Sequence, residues 1–309
     1  MPNDTETLTA TIARQLEAAE VPLRAGERPD WEREARLLVA GASVDDPTRT
    51  LDQLLQLRLS GIPLAYLVGT ETFLGDDYEV ETGVVIPHPA TELLAQLVLK
   101  VLDAKSALGA TPRLLEIGVG VGVVSIFAAK QRPDVEVHGS ELVGAALRLT
   151  RRNAERLLAD PERIKLYQAY AANDIFSPFA ALPVREANLV VANPPYMVEG
   201  DTVSEATKKS GIAHFSFAPE NDPSWFLRRV LDAPEGLLSE NCSVLMECAD
   251  WHLADHESVM KEGGWQIEVF DRQNYLARFG PVPQMHEMTR PTVHRVLHAW
   301  RGAGGELGV

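Results

Sequence analysis

The chain has 309 residues with a net charge of −15 at pH 7 and a sequence pI near 5.0, so it has ample length for a large core and lacks the basic balance of a protein that tracks phosphates. Its only cysteines, Cys242 and Cys248, bracket a predicted strand at no metal-ligand spacing and read as buried, reduced thiols of a cytoplasmic protein. No stretch of about eighteen apolar residues and no signal-peptide pattern occurs, so no membrane partner is expected.

The first 61 residues read as a small helical domain, expected to serve substrate recognition. Leu8, Ile12 and Leu16 recur at one-turn spacing after Asn3 and Asp4, and Asp30 precedes a second run with Trp31, Ala35, Leu38 and Val39. A third helix carries a capping box, Thr50 with Gln53, and stops at Gly61 before Pro63. Residues 62–92 change to a connector with a β-hairpin, its turn expected over Gly75-Asp76-Asp77 with Tyr78 and Val80 alternating behind it. Residues 93–309 then alternate strand and helix, the signature of a doubly wound α/β sheet. Strands are predicted at 113–117, 134–138, 164–169, 187–192, 242–247 and 265–270, with an antiparallel edge strand over 292–300. Helices are predicted near 121–131, 143–158, 223–237 and 251–261, and the polar stretch 197–222 reads as a lid or binding loop.

The candidate site residues fall at successive strand ends. Glu116-Ile117-Gly118-Val119-Gly120-Val121-Gly122 closes the first strand with a tight, glycine-rich turn that lets a ligand approach the backbone. Val123 stands where a dinucleotide fingerprint needs glycine, and no Lys-Ser/Thr follows for a P-loop. An acid before G-x-G-x-G fits S-adenosylmethionine instead, with Glu116 at its amino-acid end or on the glycine loop. Glu141 closes the second strand, where a carboxylate can accept both ribose hydroxyls. Asp174 follows the third and can accept from an adenine amino group, with Ile175 and Phe176 against the ring. Asn193-Pro194-Pro195-Tyr196 ends the fourth: the Asn193 side-chain carbonyl and a backbone carbonyl of the stiff proline turn can converge on the two hydrogens of one planar NH2 group, while Tyr196 offers a ring face.

His252 and His256, a turn apart beside Asp250 and Asp255, have no third ligand at useful spacing and read as an exposed helix face, so no metal is expected. Lys208 and Lys209 read as solvated loop charges, and Glu247 as a group behind the site at the end of the fifth strand.

From about residue 30 to 270 the sequence resembles the class I methyltransferases, and within them the HemK/PrmC family of protein-glutamine N5-methyltransferases. The resemblance rests on Gly61-x-Pro63-x-x-Tyr66-x-x-Gly69 with Phe73, on Ile86-Pro87-x-Pro89-x-x-Glu92, on Arg152-Asn153-Ala154, and on Asn193-Pro194-Pro195-Tyr196. It implies a mostly parallel seven-stranded sheet and methyl transfer from S-adenosylmethionine, leaving S-adenosylhomocysteine. The implied acceptor is the glutamine of a Gly-Gly-Gln motif in a class I release factor, bound by Asn193, Pro194, Pro195 and Tyr196 with His88 nearby. The sequence departs from the family at His88 and Ala90, within what is usually Ile-Pro-Arg-Pro-Glu-Thr-Glu, and at Val119 and Val121 in place of threonines. A relative that methylates a small amine or amide is the alternative; a SAM-binding module, a SAM-cyclising enzyme and a nucleic-acid methyltransferase are weaker ones.

Overall fold

Helices of two to four turns cannot stand alone in water and must share a core. In the computed structural model, which describes residues 4–23, 29–42, 49–109, 111–171, 175–180, 187–203, 205–209, 211–286, 293–302 and 305–307, the first three do so. Helices α1 (Asp4–Ala18), α2 (Trp31–Gly41) and α3 (Leu51–Leu59) meet through Ile12, Leu16, Ala35, Leu38, Leu54 and Leu55. Asp30 caps α2, and Thr50 with Gln53 forms the expected reciprocal box on α3. A buried ion pair, Arg58 to Glu34 at 2.7 Å, crosses this bundle. The short helix α4 (Leu64–Val68), not predicted from the sequence, belongs to two cores: Leu67 packs in the helical bundle and Ala65 in the main body.

The expected hairpin follows as β1 (Thr70–Phe73) and β2 (Asp76–Glu79). Its turn lies one step earlier than predicted, over Leu74 and Gly75, both at positive φ (46° and 87°), and the two aspartates belong to the strand. In the type I′ hairpin turn both central positions take this left-handed backbone, whose twist matches that of the strands.

The main body comprises α5 (Thr91–Ala107), β3 (Arg113–Ile117), α6 (Val123–Gln131), β4 (Glu136–Glu141), α7 (Gly144–Leu157), β5 (Ile164–Gln168), β6 (Ala187–Ala192), α8 (Glu205–Lys209), α9 (Trp225–Leu231), β7 (Leu238–Ala249), α10 (Leu253–Glu262), β8 (Gln266–Phe270), α11 (Arg272–Phe279) and β9 (His294–Trp300). Seven strands form one sheet in the order β5-β4-β3-β6-β7-β9-β8. The first five are mutually parallel, and β9 runs antiparallel to both β7 and β8. Chain order reverses between β3 and β6, the place where an open sheet leaves a crevice at its carboxyl ends. The register Ile117↔Ser140, Ile117↔Ala192 and Ala192↔Met246 brings four of those ends level.

Three expectations need correction. The last strand is antiparallel as predicted but is not an edge, because β9 is paired on both sides and Val296–Trp300 are buried. The second strand of the main sheet runs on through Gly139, Ser140 and Glu141, residues that resemble a turn in sequence yet are held by pairing, the first two on both sides and Glu141 on the β5 side. Segment 197–222 is not structureless: it contains α8, two 3-10 turns and a bridge between Met197 and Phe217.

Candidate active site

The glycine loop leaves β3 and folds back on β4. Gly118 N and Val119 N both donate to Ser140 O (2.8 and 3.0 Å), and Gly122, at φ 91°, opens α6. Contact is so close at Gly139 that a Cβ there would lie 2.4 Å from the Val119 side chain. Gly118 and Gly120 differ: both have positive φ, but nothing lies within 4 Å of a built Cβ. Their bare backbone faces open space that a ligand can enter. From behind, Thr150 Oγ1 donates to Gly120 O (2.8 Å) and Asn153 Nδ2 to Val121 O (3.0 Å). Asn153 also exchanges bonds with Glu79 N (2.8 Å) and Glu79 O (3.2 Å), which ties the connector hairpin to the loop.

Both predicted acids lie on the wall of a cavity of about 300 Å³, within the range of small-molecule sites. Glu116 is buried against the Ser125 hydroxyl, and burial pushes its carboxyl up to about 8, the Ser125 donors pulling the other way. Burial also raises Glu141, partly offset by the backbone N–H groups of Val143 and Gly120 at 2.8 Å, one on each carboxylate oxygen. Each oxygen keeps a second acceptor site. Glu141 is thus both an anchor of the glycine loop and a candidate holder of a diol. Gly118, Gly120, Ile175, Asn193, Pro194, Pro195 and His88 line the same cavity, whereas Gly122 does not and packs against Thr150 and Ile126. Phe176 is buried in the core beneath rather than on the cavity wall. Asp174 lies outside the described residues.

The Asn193-Pro194-Pro195-Tyr196 turn leaves β6 beside the carboxyl end of β7. Asn193 Nδ2 donates to Thr91 Oγ1 at 3.2 Å, which leaves the side-chain carbonyl Oδ1 as the end available to accept. Tyr196 stands apart from the other three: its hydroxyl is turned to His294 Nδ1 at 3.1 Å and it does not line the cavity. Burial, with Glu247 and Cys248 nearby, raises this phenol well above its ordinary value.

Two participants escaped the sequence reading. Thr91 carried a weak signal, as the first residue of a helix two positions after a proline. His294 carried none, since only the antiparallel return of β9 brings it to Tyr196. The expectation of an exposed face at His252 and His256 is wrong. Both are buried: His252 Nε2 pairs with Asp201 Oδ2 (2.9 Å), and His256 Nδ1 shares a proton with Ser224 Oγ (2.8 Å). Burial holds the His256 imidazole down at about 4. Among the described residues no group of three metal-ligating side chains is assembled, and no helix is long and apolar enough to cross a membrane.

The methyltransferase small domain family matches residues 88–212. The release factor glutamine methyltransferase of Bordetella pertussis is 32% identical over 227 residues, 72% of this chain and 77% of that protein. The Burkholderia pseudomallei protein of the same name is 33% identical over 190 residues (61% and 64%), and that of Salmonella typhimurium 31% over 204 residues (66% and 68%). Among solved structures, the hMettl16 catalytic domain bound to a 3′UTR hairpin superposes with a TM-score of 0.51 at 12% identity, over 91% of this chain and 95% of that one. At that identity the likeness is one of fold.

Proposed function

The chain belongs to the family of release factor glutamine methyltransferases, and on that premise we propose that this SAM-dependent methyltransferase acts on a side-chain amide, the glutamine of a Gly-Gly-Gln motif in a class I release factor. The observation that carries the reading is the hydrogen bond from Asn193 Nδ2 to Thr91 Oγ1. It commits the NH2 end of Asn193 to the protein, so the Oδ1 end can accept one hydrogen of the substrate amide. The Pro194 carbonyl accepts the other, and Pro195 has no N–H to compete with it. Two acceptors on one NH2 group fix the amide plane and turn the nitrogen lone pair toward the methyl group. Tyr196, its hydroxyl fastened to His294 and its ring off the cavity wall, steadies the end of the turn, and Pro195 and His88 complete the acceptor side.

S-adenosylmethionine supplies an electrophilic methyl group on sulfur. The open backbone at Gly118 and Gly120 suits its close approach, Glu116 its cationic amino end, Glu141 its ribose, and Ile175 the apolar side of its adenine. Gly122 contributes by shaping the turn, and Asp174 would meet the adenine amino group. As the N–CH3 bond forms, the S–CH3 bond breaks to leave the neutral thioether of S-adenosylhomocysteine, and the methylated nitrogen then gives up one of its two N–H protons to solvent. Charge disperses along the way, so alignment in a dry cavity supplies most of the rate.

A small amide or amine is the second reading. It is favoured by His88, which stands on the cavity wall where the family pattern has arginine. Mass spectrometry of a class I release factor incubated with enzyme and S-adenosylmethionine tests both. One added methyl on the Gly-Gly-Gln glutamine supports the first reading; none, from a folded enzyme that binds the donor, moves the acceptor to small molecules. Asn193→Ala should abolish turnover with donor affinity kept within about twofold, whereas Glu141→Ala should weaken donor binding about tenfold or more, the loss of one to two hydrogen bonds to a charged group. Equal loss of turnover and donor binding in Asn193→Ala would sink the assigned role.

A further inference from the structure

Behind the acceptor turn lies a cluster of polar groups that the methyl transfer itself does not use. Glu247, 1% exposed, sits at the carboxyl end of β7. The parallel register Ala192↔Met246 makes it the lateral neighbour of Asn193. Its Oε1 lies 3.1 Å from His294 Nδ1, the same nitrogen that meets the Tyr196 hydroxyl at 3.1 Å. Thr91, at the start of α5, accepts the Asn193 amide through its hydroxyl oxygen and has a hydroxyl hydrogen of its own to give. Burial by itself would raise the Glu247 carboxyl, yet it is held below its ordinary value by His294 first, then by Thr91 and His88 close by.

Among the described residues, the second oxygen of Glu247 is buried without a hydrogen-bond partner. Beside it Glu247, His294, Arg272 and Arg295 bound a cavity of about 20 Å³, enough for a single water. A buried, half-satisfied carboxylate is costly and is poor evidence of a stabilising device. Its contact with His294 leads instead to Tyr196 at one end of the turn, and Thr91, close beside it, holds Asn193 at the other.

We propose that Glu247 is the positioning residue of the Asn193–Tyr196 turn, holding Asn193 through Thr91 and Tyr196 through His294. This rests on the reading of Asn193 as the clamp on the acceptor nitrogen. The Thr91 arm fixes which end of the Asn193 amide faces the substrate. The His294 arm fixes the tilt of the Tyr196 ring, and the His88 ring, 4.8 Å from that of His294, extends the cluster to the cavity wall.

Thr91→Val keeps the shape of the side chain and removes only the hydroxyl, and Glu247→Gln keeps the shape of the carboxylate and removes its charge. Each should lower kcat on a class I release factor about a hundredfold, the cost of an ångström-scale misplacement, with KM and donor affinity within about twofold. Thr91→Ser should recover most of kcat, and the double variant should lose no more than either single one, since both act on one unit. The side-chain amide resonance of Asn193 in the S-adenosylhomocysteine complex, assigned by its loss in Asn193→Ala, should shift in both variants. That resonance needs no acceptor. If the wild type leaves the release factor unmethylated while the resonance shifts in both variants, the acceptor assignment fails and the positioning role stands. If methylation proceeds and the resonance does not move, or kcat falls only in step with melting temperature, the positioning role is overturned.

Discussion

Glu116 meets the end of β3 with the hydroxyl and backbone of Ser125 as its donors and, among the described residues, no cation beside it. With its carboxyl pushed up to about 8 by burial, it is protonated at neutral pH in the ligand-free protein. In the unfolded chain the same group titrates near ~4.3. Its contribution to stability is therefore complete below that value and is lost as pH rises toward 8, because the folded state binds the extra proton over that window. Thermal unfolding of ligand-free Glu116→Gln should fall less between pH 5 and 8 than that of the wild type. A cationic donor beside Glu116 favours the ionised form, so donor binding near neutral pH should release protons in the wild type and fewer in the variant. Calorimetry in buffers of different ionisation enthalpy reads this directly, and equal proton release by the two proteins would remove Glu116 from the donor's cationic end. Glu116 was legible because its chemistry is local: acid, turn and glycines are contiguous. The Glu247–His294 contact was not, since the partners lie 47 positions apart and meet only through strand pairing.

Elements are knotted together at Glu92, in the first turn of α5. Fully buried, it accepts from Leu74 N (3.4 Å), from Arg272 Nη2 (3.1 Å) and from His286 through both its backbone N (2.8 Å) and Nδ1 (2.5 Å). One carboxylate thus joins the connector hairpin, α11 and the segment leading to β9. Glu92→Ala would leave the part-buried Arg272 without its counter-ion, a loss at or somewhat below the about 3–5 kcal/mol of breaking a fully buried pair. Denaturant unfolding should show that loss, and a change under about 1 kcal/mol would mean that the knot relaxes at no cost. A pH signature accompanies it. The bond to Glu92 raises His286 above its ordinary value, so this support is complete below ~6.5 and declines as pH rises through the raised value. The variant should lack that decline. In sequence, Glu92 stood out only as part of the resemblance, and α11 was overlooked although Asp271 and Asn274 carry a capping-box signal that the structure uses. Alternation revealed β9 as a strand, but alternation says nothing of neighbours, so its place inside the sheet emerged only from pairing on both sides.

On the scale of the whole molecule, the question is how a small helical bundle is coupled to the sheet that carries the chemistry. The first α/β run betrays its order in sequence, because strand ends and acids recur in step; the coupling has no such period. It runs through α4, whose Leu67 is buried in the bundle while Ala65 belongs to the main core and the Tyr66 hydroxyl donates to Val84 O at 2.6 Å. Arg49 adds a bond to Leu67 O at 2.8 Å. The strand ends that form the donor cavity receive no residue from α1, α2 or α3. Loosening the bundle should therefore leave the donor site intact. Leu67→Ala removes buried volume from a core of only three short helices and α4, and such truncations cost about 2–5 kcal/mol. Limited proteolysis should then cut the first 60 residues faster, with donor affinity within about twofold of wild type. If the bundle docks the release factor, kcat/KM on that protein should fall while donor affinity holds, since binding far from the reacting atoms is what aligns them. Loss of donor affinity in parallel would show instead that the bundle and the sheet act as one cooperative body and that α4 transmits order to the glycine loop.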